Sequence, residues 1–306
     1  MRVAAIDLGT NTTRLLVADV VDGDVREVHR ETRITRLGEG VDARKRLLPV
    51  AIARVRNALS DYRRTLERLD AERALLVATS AVRDAENGEA FLGEIEWSYG
   101  FATQLVSGDD EAELTRRGVQ PPPGALVLDI GGGSTELLVD DFHVSLDMGS
   151  VRFTERFVRS DPPTRDEIDA CARAVRSMLT ELDIAPQQAI GVAGTVTTIA
   201  ALDLGLDAYD RERVDGHRLS LQGVRAQLDR LAALPLAERR EVPALEPERA
   251  PVIVAGAVIL TETLAHFGLD AIDVSERDIL DGIALAAAEL PAPEEGAAPP
   301  GAYTCC

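Results

Sequence analysis

Apolar positions along the chain come in short blocks separated by turns that carry glycine and acid. "RVAAID", then "LGTNTT", then "RLLVADVV" predicts a strand, a glycine turn and a second strand. "DGD" at 22–24 marks a hairpin, and "VREVHRE" continues as a third strand. After the linker "PPPG" at 121–124 the pattern restarts with "ALVLDIGGGSTELLVDDFHVSLDMG". Both halves open on a strand ending in Asp-x-Gly and run on into a hairpin. Such duplication predicts two similar α/β domains rather than a solenoid. They are expected at 1–120 and 121–290, with 291–306, rich in Pro, Gly and Ala, as a disordered tail.

Between the strands the period changes to that of helices. Pro49 opens one whose Val55, Leu59, Tyr62, Leu66 and Leu69 share a face. "FATQLVSGDDEAELTRRGV" predicts a short strand and a helix begun near Ser107–Asp109. Thr164 and Glu167 form a capping box ahead of the apolar face Ile168, Cys171, Val175, Met178 and Leu182. "AIGVAGTVTTIAAL" is a strand, a glycine turn and a helix. "AIDVSERDILDGIALAAAEL" is a strand followed by a helix capped by Ser275 with Asp278.

Composition narrows the function classes. The chain has 306 residues, 45% apolar but only 4% aromatic, so the core is built from Val, Leu, Ile and Ala. No run approaches the ~20 apolar residues of a membrane span, and Asp7 interrupts any leader-like apolar start. A cytoplasmic protein with no membrane partner is expected. The net charge is −19, which argues against nucleic acid as a partner. An anionic ligand then needs a locally positive path or a divalent metal. The most basic stretch is "RETRITRLGEGVDARKR" (30–46), which holds the only lysine, Lys45. It reads either as a surface loop or as one wall of such a path. The histidines are scattered and the cysteines lack zinc spacing, with Cys171 in the core of a helix and Cys305 and Cys306 in the tail.

Three places share one form: "AIDLGTNTT" (5–13), "VLDIGGGST" (127–135) and "GVAGTVTT" (191–198). Each is a buried strand ending in a polar glycine turn. Glycine lets backbone N–H groups approach an oxyanion, and Ser and Thr add hydroxyl donors, so the set suits phosphate. The candidate phosphate-binding residues are Gly9, Thr10 and Asn11, then Gly131, Gly132, Gly133, Ser134 and Thr135, then Gly194 and Thr195. Asp7 and Asp129, at the strand ends, suit a divalent metal beside phosphate oxygens.

"DLGTNT" and "DIGGGST" resemble the two phosphate loops of the actin, sugar kinase and Hsp70 superfamily. Within it the chain resembles the exopolyphosphatase and guanosine pentaphosphate phosphatase family in its short, two-domain form. The likeness runs through "TRLGEGVD", "VATSAVRDAENG", "LVSGDDEAELTRRGV", "LDMGSVRFTERF" and "ERAPVIVAGAVILTETL" in order. It implies two actin-like (ribonuclease H-like) domains, each a mixed sheet flanked by helices, with the active site in the cleft between them. It also implies Mg2+ as cofactor, with Mn2+ as an alternative and K+ as a stimulating ion, and a homodimer. By position, Glu111 matches the catalytic glutamate proposed as base, Asp129, Gly131 and Glu136 match the second loop, and Arg83 matches an arginine near the cleft and joins the candidate phosphate-binding residues. Glu136 is read as holding metal or water in the catalytic set. Two departures are Asp110, where a Glu is usual, and Asp147, where an uncharged residue is more common.

The expected activity is hydrolysis of the terminal phosphate of inorganic polyphosphate, by water activated by a glutamate. Guanosine pentaphosphate is the alternative substrate. An ATP-binding actin-like kinase or scaffold would need an adenosine-binding Gly-Gly turn. "VAGAVILTETL" offers one glycine followed by bulky residues. A phosphate sensor without turnover would not need the acids Glu111 and Glu136.

Overall fold

A computed structural model of the chain describes residues 1–291. Beyond Pro291 the expected tail, with Cys305 and Cys306, lies outside the described residues. By its internal contacts the described chain divides into two compact units, Met1–Val119 with Ile279 onward, and Gln120–Asp278.

The first unit begins with the antiparallel meander β1 (Arg2–Leu8), β2 (Thr12–Val21) and β3 (Asp24–Ile34). Asp22 and Gly23 both take positive φ, 53° and 81°, the backbone that a two-residue hairpin turn requires. The one-turn α1 (Val41–Arg44) and the long α2 (Pro49–Arg68) follow, then β4 (Arg73–Ala78), α3 (Ser80–Arg83), α4 (Gly88–Tyr99), β5 (Ala102–Leu105) and α5 (Gly108–Val119). The sheet order is β3-β2-β1-β4-β5, with β4 and β5 parallel to β1. Alternation along β1 sorts its side chains to two cores. Ala4, Ile6 and Leu8 pack with Val55, Leu59 and Tyr62 of α2, as the helical spacing predicted. Val3 and Ala5 face the other way, onto Leu114 of α5.

The second unit repeats the plan. β6 (Ala125–Ile130), β7 (Thr135–Val139) and β8 (Phe142–Leu146) form the meander, followed by α6 (Ser150–Phe157), α7 (Arg165–Leu179), β9 (Gln188–Val192) and α8 (Ala193–Asp203). Then come α9 (Arg211–Val214), β10 (Arg218–Ser220), α10 (Leu221–Ala233), α11 (Leu236–Arg239), α12 (Ile253–His266) and β11 (Ala271–Val274). The order β10-β11-β9-β6-β7-β8 places β9 parallel to β6, as β4 is to β1. Leu126, Leu128 and Ile130 pack with the buried face of α12 and with Cys171 and Val175 of α7. The capping box is present, with Thr164 accepting from the Glu167 amide and Glu167 accepting from the Thr164 amide.

Two expectations need correcting. The last helix, α13 (Ile279–Glu289), belongs to the first unit, so the second ends at Asp278 and not near 290. Ile279, Leu280, Ile283, Ala284 and Ala287 cover Val3, Ala5 and Leu16, and Gly282 lets α13 lie against α5. A Cβ there would sit 1.9 Å from the Leu114 carbonyl oxygen. The buried carboxylate of Asp281 accepts from Arg30 of β3 at 3.3 Å. Nor does Ser275 cap this helix. Its hydroxyl accepts from the Arg277 amide and donates to the Arg277 carbonyl, both at 3.0 Å, which closes a tight turn before the helix starts.

Candidate active site

The first loop begins where β1 ends. Gly9 donates its N–H to the Thr12 carbonyl at 3.0 Å, folding the turn back into β2. Asp7, 4% exposed, lies opposite Arg14 across the β1–β2 pair, and its Oδ2 accepts from Arg14 Nε at 2.8 Å. The turn is buttressed from outside. The Asn11 carbonyl accepts from Thr35 and Arg36, and the Thr10 carbonyl accepts from Gly38 at 2.8 Å. Gly38 has to be small, because a Cβ there would meet Thr10 Cγ2 at 2.3 Å. Thr10 Oγ1 also hydrogen-bonds Ser80 Oγ at 2.8 Å, which joins the loop to the first residue of α3.

Past β5, two neighbouring acids take different places. Ser107 precedes α5, and its hydroxyl accepts from the Asp110 amide while Asp110 Oδ2 accepts from the Ser107 amide and hydroxyl. This is a capping box, and those hydrogen bonds hold the Asp110 carboxyl below the usual range. Asp110 is therefore engaged in starting the helix. Glu111 turns inward instead, 9% exposed, with Oε2 at 3.5 Å from Arg83 Nη1. Arg83 is anchored in turn by donating to the Val106 carbonyl at 2.9 Å. α5 packs on the face of β1 that carries the odd-numbered residues, the side to which Asp7 belongs.

The second loop repeats the first at the same offsets. Gly131 donates to the Ser134 carbonyl at 3.0 Å, and Asp129 lies opposite Glu136 as Asp7 lies opposite Arg14. Its carbonyls are spoken for by the start of α6. Gly131 accepts from Ser150 at 2.9 Å, Gly132 from Val151 at 2.8 Å and Arg152 at 3.1 Å, and Gly133 from Arg152 Nε at 2.6 Å. A trans peptide unit carries its C=O and the following N–H on opposite sides. Three carbonyls turned to α6 thus direct the amides of Gly132, Gly133 and Ser134 away from it, as a row of donors. Gly149 permits the close approach: a Cβ on it would lie 2.3 Å from the Gly132 oxygen. Ser134 and Thr135 are both buried, and Thr135 Oγ1 donates to the Met148 carbonyl.

Sequence reasoning did not single out the residues that hold this loop, Gly149, Ser150 and Arg152. The signal was a Gly-Ser pair following a strand, within "LDMGSVR". Asp147, noted as an unusual acid near the path, has a side chain 72% exposed and reaches Arg152 at 3.6 Å.

The third loop sits beside the second, since β9 neighbours β6 in the sheet. Ala193 takes φ 64°, a backbone that costs a non-glycine residue energy, at the entry to α8. Gly194 is covered by Arg249, whose Nη1 would lie 2.0 Å from a Cβ there. Thr195, 5% exposed, meets α12 at Gly256, where a Cβ would contact Thr195 Cγ2 at 2.6 Å and Ser150 Cβ at 3.4 Å. Gly256 thus lies inside a packed helix and forms no adenosine-binding turn.

Asp129 and Glu136 are 7% and 1% exposed and stand directly opposite each other on one face. Like charges so placed repel, and a cation between or beside them relieves the repulsion. Glu136 also accepts from Ser145 Oγ at 2.8 Å. Among the described residues no group of three Asp, Glu, His or Cys side chains is arranged to hold a metal by itself. Mg2+ commonly takes one or two carboxylates and completes its shell with phosphate oxygens and water, so this donor pair fits it. In the first unit, by contrast, Asp7 is already paired with Arg14.

Residues 16–289 match the model of the Ppx/GppA phosphatase family. The chain belongs to the Ppx/GppA family. Exopolyphosphatase 2 of Mycobacterium tuberculosis is 41% identical over 315 residues, covering 94% of this chain and 98% of the relative. Among solved structures, an exopolyphosphatase-like protein superposes with a TM-score of 0.87 at 36% identity, covering 93% of this chain and 98% of its own. The Aquifex aeolicus member of the Ppx/GppA family gives 0.80 at 30% identity, covering 94% and 98%. The two mixed sheets flanked by helices are those of this family's two-domain, actin-like fold, and the expected hydrolase is a member of a phosphatase family. No helix among the described residues is long and apolar enough to cross a membrane.

Proposed function

We propose that the protein is an exopolyphosphatase that releases the terminal phosphate of inorganic polyphosphate by attack of water. The observation that carries this reading is the likeness, over nearly the whole of both chains, to exopolyphosphatase 2. Glu111 takes the proton of the attacking water, held in register by the start of α5 and by Arg83. The amides of Gly132, Gly133 and Ser134 receive phosphoryl oxygens, and those of Thr10 and Asn11 do the same in the other unit, where Gly9 closes the turn by donating to the Thr12 carbonyl. Gly194 and Thr195 contribute the third loop. Mg2+, held by Asp129 and Glu136, supplies neutralisation of phosphoryl charge when bound. Asp7 orients Arg14 and is a second candidate ligand. We further propose a cytoplasmic, homodimeric enzyme, to be checked by fractionation and light scattering.

Phosphate release should be compared in Mg2+ for short polyphosphate, long polyphosphate, guanosine pentaphosphate and ATP. Turnover of polyphosphate well above the two nucleotides is expected. Preference for guanosine pentaphosphate would replace the substrate, and cleavage of ATP alone would overturn the reading.

A further inference from the structure

We propose that Arg44, Lys45 and Arg46 form an auxiliary anion site, which holds phosphates of a chain substrate at a distance from the end being hydrolysed. It rests on the polyphosphate reading of the active site. Three observations lead to it.

The first is charge. The protein has 52 acids against 33 Lys and Arg, and its arginines are mostly neutralised. Nearby, Arg30 pairs with Asp281 and Glu27, Arg33 with Glu31 and Asp61, Arg54 with Glu39 and Arg56 with Glu94. Among the described residues Arg44, Lys45 and Arg46 have no acid within the 4.0 Å of an ion pair, although acids outnumber them throughout. Adjacent like charges repel, and an arrangement that leaves three in a row unneutralised suits an anion arriving from solution.

The second is exposure. All three are exposed while the flanking Val41 and Leu47 are buried, so the run is carried on a fixed base. The third is position. Gly38 binds the Thr10 carbonyl of the first phosphate loop, Val41 binds the Gly38 carbonyl at 3.0 Å, and Lys45 binds the Val41 carbonyl at 2.8 Å. At the other end the Glu86 amide binds the Lys45 carbonyl at 2.8 Å, and Asn87 clasps Leu47 through both its amide and its carbonyl. The basic run is strapped between the first phosphate loop and the segment just after Arg83. Arg44 closes the single turn of α1 and Lys45 and Arg46 follow it, about 5 Å of helix beyond Val41, so the run meets phosphates beyond the terminal one. A short substrate ends before reaching it.

The test is Arg44→Gln/Lys45→Gln/Arg46→Gln, with folding checked by thermal melting. For long polyphosphate, kcat/KM should fall about tenfold, mainly through KM, with tripolyphosphate and guanosine pentaphosphate changed less than about twofold. Added KCl should erode the wild-type preference for long chains and leave the variant's unchanged. Equal losses on all substrates, or none, overturn the proposal. So does a variant that loses only duplex DNA binding. A parallel titration of long polyphosphate onto both proteins in a Glu111→Gln background separates this site from the activity. If the wild type hydrolyses no polyphosphate, the proposed function fails. The anion site then stands if the triple variant binds the chain more weakly and falls if binding is equal.

Discussion

At the residue scale, the neighbours Asp110 and Glu111 show how local geometry assigns roles that residue type does not. Both are acids in the first turn of α5, where the helix dipole favours either. Only Glu111 is buried beside Arg83. Glu111→Gln should therefore lower phosphate release by about 10²–10⁴-fold, while polyphosphate binding stays within a few-fold. Phosphate assays with equilibrium titration check both halves. Gly149→Ala tests the second loop, because its Cβ would enter the space of Gly132. Overpacking of this kind costs about 1–3 kcal/mol, and turning the loop away from its amide row should also abolish activity. Urea denaturation alongside the assay measures the two effects.

At the element scale, the strand–turn–strand units and their glycine loops were legible because each is a local pattern of adjacent residues. Arg249 over Gly194, Gly149 against Gly132 and Gly38 against Thr10 were not, since each contact joins segments distant in sequence and leaves no periodic trace. Likewise Ser275 and Asp278 have capping-box spacing, but the turn closed on Arg277 ends before the helix begins. The true capping box at α7 gives a pH prediction. Four hydrogen bonds from Arg159, Ser160 and Thr164 lower the Glu167 carboxyl from 4.5 to about 2, the largest share from the Thr164 amide. A lowered folded-state value means the stabilisation is complete above about 4.5 and is lost as pH falls toward 2. Denaturant midpoints followed from pH 6 to pH 3 should drop more steeply for the parent than for Glu167→Gln. At neutral pH, Thr164→Ala should cost about 0.5–2 kcal/mol, measured by the same unfolding.

On the scale of the whole molecule, the sequence marks the first boundary through "PPPG" but not the second. The helix after β11 has the apolar period of any core helix, and nothing in its own residues says which sheet it covers. The chain returns to the first unit there, and α13 closes one face of that sheet. Ending the chain at Asp278 would strip Ile279, Leu280 and Ile283 from that face, a loss of roughly 5–9 kcal/mol at about 1.5–3 kcal/mol for each large side chain. That is comparable to the whole stability of a domain. The truncated protein should be recovered mainly as aggregate, which sedimentation of the expressed chain would show.

The return of α13 also sets the order of events at the ribosome. Residues 120–278 are contiguous and form their own unit, whereas the earlier-made strands wait for a helix translated after that unit. At ~5–20 residues per second, the N-terminal sheet would spend roughly 8–30 seconds with one apolar face covered only in part, by α5, while the later segment completes first. Vectorial synthesis thus runs against the usual N-to-C order for this chain, and the nascent N-terminal half is the natural client for a holding chaperone.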